Sequence, residues 1–142
     1  MKDLLAMLQA HPEAPPESRE QLAETLEYLA VCSQACLLCA DACLAEKNPL
    51  ALGECIRTNL DCADICQTTS AMLLRVGDQW AVIQHAQIHA CVVACDLCAS
   101  QCAEHGRQHE HCRICAEICQ RCQEKCNFLL GALSGQPVSG NY

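Results

Sequence analysis

Between Cys112 and Cys126 five cysteines recur at steps of 3, 4, 3 and 4 residues, in the run C-R-I-C-A-E-I-C-Q-R-C-Q-E-K-C. At about 100° per residue these steps put every sulfur on one stripe of one α-helix, while Arg113, Glu117, Gln120, Arg121, Glu124 and Lys125 take the opposite face. A bundle helix carries Leu or Ile on such a stripe. Here thiols stand in their place, and any fold open to this chain has to gather them out of water.

Three further stretches repeat the pattern. Ser18, with Gln21 three residues on, reads as a capping box that opens a helix from about Ser18 to Ala45 with the seam Leu22, Leu26, Leu29, Cys32, Cys36, Cys39, Cys43. Asn48-Pro49 reads as an N-cap and a first-turn proline, and Gly77 as a stop; the seam between them is Leu52, Cys55, Asn59, Cys62, Cys66, Thr69, Leu73. Asn59 occupies a place where the pattern wants another thiol. Asp78 can cap a third helix ending near Gly106, with seam Ile88, Cys91, Cys95, Cys98, Cys102 and then His105. The fourth starts after Gln108, carries Cys112, Cys115, Cys119, Cys122 and Cys126, and continues to Leu129 before Gly131.

Four such helices of roughly 25 residues with short connections predict an all-α, antiparallel up-down-up-down four-helix bundle. Cys32 to Cys43, Cys55 to Cys66 and Cys91 to Cys102 each span 11 residues, so the thiols should meet in matched layers. The spacing C-x₃-C-x₂-C-x₃-C, shared by the first and third helices, suggests a duplicated helical hairpin. Residues 1–16 are expected to form a leader helix, from Asp3 to Gln9, and a Pro-rich linker; residues 17–133 form the bundle and 134–142 a loose tail, frayed from Val138 to Tyr142. Leu37, Leu60, Leu97, Ile114 and Ile118 flank the seams and are expected to close the helix contacts, so that the metal-free chain is already folded. Apolar residues on more than one face of the first and third long helices predict a homo-oligomer.

Composition narrows the function. Nine basic against 17 acidic residues give a net charge of −8, which argues against nucleic acid and anionic membranes as partners. The start, Met1 to Ala10, is poor as an export signal, and no stretch reads as a bilayer span, so a cytosolic chain with reduced thiols is expected. The pairs Cys36/Cys39, Cys95/Cys98, Cys112/Cys115 and Cys119/Cys122 lack the strand and helix N-terminus of a thioredoxin-type motif. With no Ser/His/Asp set and no Gly-rich phosphate loop, the chain does not read as an enzyme.

Sixteen cysteines exceed what packing needs, and a thiol core forfeits apolar burial at about 25 cal/mol per Å². Disulfides at i,i+3 and i,i+4 along a helix are geometrically poor, so metal is the better reading. Zinc asks for closed clusters of four ligands, and iron–sulfur centres for four cysteines around a discrete inorganic core. Cu(I) is soft, accepts two or three thiolates, and lets each sulfur bridge two metals, so a tube of facing thiols suits many Cu(I) ions. Capacity is then about one copper per cysteine, on the order of fifteen to twenty ions. Buried thiols should raise one another's pKa, so the empty core is expected to be protonated, with each Cu(I) displacing about one proton. A zinc buffer of about four ions or an iron–sulfur redox protein stands as the alternative.

The helical C-x₃-C and C-x₂-C ladders, without an export signal, resemble the bacterial copper storage proteins, in particular their cytosolic branch, over residues 18–131. The resemblance implies a four-helix bundle, often a homotetramer, whose lumen fills with Cu(I) held by cysteine, partly in four-metal thiolate clusters. In that family an Asn oxygen can join a cluster, and Asn59 matches its place. Histidines near one mouth are associated with copper uptake, and His105, His109 and His111 match them. No copper donor or acceptor follows from the sequence.

The two ends of the expected bundle agree with this reading. One gathers Leu22, Leu26, Leu29, Leu73, Phe128 and Leu129 into a dry plug. The other places Cys43, Cys55, Cys102 and Cys112 beneath the histidine-rich stretch from His105 to His111. Imidazole binds Cu(I) more weakly than thiolate and can hand it on, so copper is expected to enter there. His85 and His89, off the seam, are expected at the surface or a subunit contact, and Asp61 as a solvated acid.

Overall fold

In a computed structural model that describes residues 2–76 and 81–133, the alternation of 3 and 4 becomes helix. A short α1 (Lys2–Ala10) precedes four long helices, α2 (Arg19–Leu44), α3 (Gly53–Leu73), α4 (Ala81–Glu104) and α5 (Glu110–Leu133), and the described residues contain no strand. Each long helix packs on two neighbours, in the ring order α2, α3, α4, α5 and back to α2. Neighbours run antiparallel: Cys55 meets Cys102 while Cys66 meets Cys91, and Cys32 meets Cys119 while Cys43 meets Cys112. A four-helix ring leaves an axial lumen, and the cysteine seam of every helix turns into it.

The closed end is built as a hydrocarbon contact. Leu22, Leu26, Leu29, Ile88, Leu73 and Leu129 are buried there, and Thr69, also buried, satisfies its hydroxyl by donating to the Ile65 carbonyl while accepting from Gln87 Nε2. Phe128 does not join this plug and is 69% exposed. Two positions past Cys126 it stands about 200° round the helix from the seam. Leu8 of α1 is buried, with Leu4 and Leu5 partly buried against the same core.

Local capping departs from the sequence reading. Ser18 closes a 3₁₀ turn (Pro16–Ser18) by donating its hydroxyl to the Pro15 carbonyl, so the capping box with Gln21 does not form. Asn48 precedes a second 3₁₀ turn (Pro49–Leu52), not α3 itself, and makes no side-chain cap. α5 runs through Gly131 to Leu133 instead of ending near Leu129. Gly77, Asp78 and the tail, including Val138 to Tyr142, lie outside the described residues. The turn from α4 to α5 depends on Gly106, where a Cβ would come within 3.3 Å of Arg113 Cβ.

Two expectations about apolar surface are overturned. Of the five residues expected to close the helix contacts, Ile118 packs against the core, whereas Leu37, Leu60, Leu97 and Ile114 are exposed. The short thiol side chains let the helices close on the seams alone, which leaves flanking positions outside. Two helical stretches, Pro16–Leu44 and Ala81–Glu104, are also long and apolar enough to cross a membrane, contrary to the sequence reading. Part of that apolarity is the cysteine stripe that each lends to the interior.

Candidate metal centre

All sixteen cysteines are free and buried. Their sulfurs approach one another at 3.5 to 3.9 Å, far beyond a disulfide bond: Cys36 to Cys119 and Cys55 to Cys102 at 3.5 Å, Cys62 to Cys95 at 3.7 Å, and Cys126 to Cys91 at 3.9 Å. A metal held at about 2.3 Å by two sulfurs spans up to about 4.6 Å between them. The thiols therefore already stand at bridging separation, fixed by the antiparallel register of the helices.

The sulfurs fall into groups whose ligand atoms all lie within 4.8 Å of one another, and these groups share corners. Beyond the pair Cys91 and Cys126, which lies nearest the plug, stand Cys32, Cys66, Cys95 and Cys122; then Cys32, Cys36, Cys62 and Cys119; then Cys36, Cys98, Cys115 and Cys119. Cys39, Cys102 and Cys115 continue the file, and Cys39, Cys43, His111 and Cys112 close it at the mouth. Cys32, Cys36, Cys39, Cys115 and Cys119 each belong to two groups. A sulfur between two groups is positioned to bridge, which is the property that distinguishes a continuous file from a row of separate closed sites.

Asn59 interrupts the thiols from within. It is fully buried, and its Oδ1 accepts from Cys98 at 3.0 Å, Cys115 at 3.2 Å and Cys102 at 3.6 Å, while Nδ2 donates to Cys55 Sγ at 3.6 Å. Its carbonyl oxygen is thus a hard oxygen atom set among sulfurs, at the seam position where the pattern asks for a thiol.

Burial and crowding act differently along the file. At the mouth, burial pushes Cys43 up to about 11, and Cys55 rises to about 12 because its bond with Cys102 is outweighed by its bond with Cys39 and by burial. Cys102 beside them, and Cys36 and Cys119 deeper in, are driven upward, each chiefly through its bond with Cys115. Not every thiol is raised, however. Cys32 and Cys62 are drawn down chiefly by Cys119, Cys62 to about 7, and Cys39, Cys91 and Cys98 are also lowered. Hydrogen bonds between neighbouring thiols thus favour the charged form of some, while burial and crowding disfavour it in others.

The three histidines separate. His111 Nδ1 lies 3.4 Å from Cys39 Sγ and 3.6 Å from Cys112 Sγ, facing the file. Its Nε2 lies 2.9 Å from Glu46 Oε2, and His109 Nδ1 meets the same oxygen at 2.9 Å. The two rings stand 5.6 Å apart between centroids. His105 shapes the turn through its backbone, donating to Cys102 O and accepting from Gln108 and His109, with no side-chain bond among the described residues. Glu46 is the residue that sequence reasoning missed. It sits off every seam, just past the end of α2, and the fold brings it to His111 across 65 residues. The His111 bond holds its carboxyl below the usual range. His85 is half-buried and His89 exposed, while exposed Asp61 lines an outer groove between α3 and α4 with Thr58, Ile65 and Val93.

No curated protein matches the chain. Solved structures do. The cytosolic copper storage protein of Streptomyces lividans in a copper-loading structure with five coppers is 44% identical over 82% of this chain and 98% of its own, with a TM-score of 0.80. The same protein, Ccsp, loaded with 10 copper equivalents is 41% identical over 90% of this chain and 98% of its own, with a TM-score of 0.86. The family model for Csp, copper storage protein, matches residues 18–131, the whole thiol-bearing ring. The chain belongs to the copper storage protein family.

Proposed function

We propose that this protein stores copper as Cu(I) in the cytosol, without catalysis, with the sixteen cysteines as ligands and Asn59 Oδ1 as an additional donor within the file. The observation that carries the reading is the shared corners. Cys36 and Cys119 both take part in two neighbouring sulfur groups, so the same thiolates can serve successive ions. Soft thiolates that bridge suit Cu(I), whereas zinc in closed tetrahedra would need a separate set of four ligands for each ion. Each copper that binds a protonated thiol displaces its proton, which offsets the charge the ion brings into the lumen.

Copper enters at the mouth formed by His111, His109, Cys39, Cys43 and Cys112. His105 borders this mouth from the turn. At the other end Leu26, Leu29 and Leu129 offer an ion no donor as it leaves its carrier. The exposed Leu60, Val93 and Leu97 support a homo-oligomer, a tetramer as the family resemblance implies. Anaerobic incubation with excess Cu(I), removal of unbound metal and copper analysis test the storage reading. About sixteen ions per chain are expected, on one metal per thiol. Saturation near four, with zinc outcompeting copper, would overturn it.

A further inference from the structure

The geometry points to Glu46 as the positioning residue of the copper mouth: its carboxylate sets the tautomer of His111, so that the imidazole turns a lone pair and not a proton toward the thiols. This rests on the proposed passage of copper through the histidine end.

A carboxylate accepts hydrogen bonds and donates none. Glu46 Oε2 stands 2.9 Å from His111 Nε2, so that nitrogen carries the hydrogen. In a neutral ring the lone pair then belongs to Nδ1, the atom 3.4 Å from Cys39 Sγ and 3.6 Å from Cys112 Sγ. Free of Glu46, His111 could place its hydrogen on Nδ1, and a hydrogen there blocks coordination. The same oxygen receives Nδ1–H of His109, which leaves Nε2 as the lone-pair nitrogen of the second ring. One carboxylate thus sets both imidazoles, with ring centres 5.6 Å apart, as successive weak donors ahead of the first thiols. Glu46 need not touch the metal, because outer partners of ligating histidines act by fixing tautomer and orientation. Its placement follows from the fold: the backbone N–H of Glu46 donates to Cys43 O at the end of α2, and both histidines arrive from the start of α5.

The experiment has two readouts. Long-range ¹H–¹⁵N correlation of the imidazoles in reduced, metal-free protein at mildly alkaline pH should find the His111 hydrogen on Nε2 in wild type. In Glu46→Ala it should be shared with, or moved to, Nδ1. Stopped-flow transfer of Cu(I) from a chelator should slow about tenfold in Glu46→Ala, the low end for loss of an outer partner of a ligand. Glu46→Gln, which keeps an acceptor oxygen, should recover part of the rate. A simple clip of the turn would leave the tautomer unchanged. A His111 hydrogen on Nδ1 in wild type overturns the inference, as does an unchanged rate in Glu46→Ala when His111→Phe is slow. If His111→Phe itself transfers copper at the wild-type rate, the passage through the histidines fails instead, and the wild-type spectrum still decides the tautomer.

Discussion

The two ends of this bundle are made by the same four helices with the same 3-4 seam, yet one is hydrocarbon and the other sulfur. At the plug, α2 contributes Leu22, Leu26 and Leu29; further along the same stripe it contributes Cys32, Cys36, Cys39 and Cys43. The helix does not change between them, so the backbone is indifferent to what fills the lumen. What changes is the work done: leucine burial supplies cohesion without metal, and thiol burial gives up cohesion for donors. A metal-free chain stays folded on this account because the plug and the partly buried Ile118, Ile56 and Ile65 close the ring.

The largest effect is expected from attacking the plug. Leu29→Ala, at a fully buried site, should cost about 2–5 kcal/mol in denaturant unfolding of reduced, metal-free protein, with the sulfur file and its copper stoichiometry preserved. Copper should restore part of the loss, to the extent that it binds the assembled sulfur file more tightly than the thiols of the unfolded chain. A loss under 1 kcal/mol would break the division of labour between the ends.

Next comes the mouth. Replacing His105, His109 and His111 together by Phe should slow Cu(I) transfer at least about tenfold in stopped-flow traces, no less than loss of the carboxylate that positions the rings, with most of the loss reproduced by His111→Phe alone because that ring faces the thiols. An equal share for His105, which has no side-chain bond among the described residues, would redraw the path.

In the file itself, Cys36→Ala should cost only about 1 kcal/mol, the scale of one buried methylene. Metal analysis should nevertheless show a loss of about one to two coppers, since Cys36 belongs to two groups. The comparison with Leu29→Ala is the sharp one: more stability lost at the plug, more copper lost in the file. The smallest effect on stability is expected at the outer apolar surface. Leu97→Glu should stay within about 0.5 kcal/mol in the monomer, while light scattering reports a smaller assembly than wild type.

The fold was legible because its main signal is periodic. Cysteine at steps of 3 and 4 names a face of a helix as well as leucine does, and four such faces of similar length leave few arrangements. The burial of the sixteen cysteines and of Asn59 was legible for the same reason, since a seam position predicts burial whatever residue fills it. Phe128 misled because its chemistry suited a plug while its phase, two residues from Cys126, did not. The Ser18–Gln21 pattern failed because Pro15 and Pro16 already impose a tight turn, which takes the Ser18 hydroxyl; buried Gln21 Nε2 has no hydrogen-bond partner among the described residues. Glu46 was invisible for a different reason. It belongs to no period, and its role exists only when α5 returns His109 and His111 to the end of α2.

The most direct test of the shared-corner file is anomalous diffraction at the copper edge from crystals of the fully loaded protein. The account expects an unbroken column of copper from the level of Cys91 and Cys126 to that of Cys43 and Cys112, with single sulfurs such as Cys36 and Cys119 each bonded to two metals and no copper among Leu22, Leu26, Leu29 and Leu129. A few isolated peaks, each enclosed by four sulfurs that no neighbouring ion shares, would contradict it.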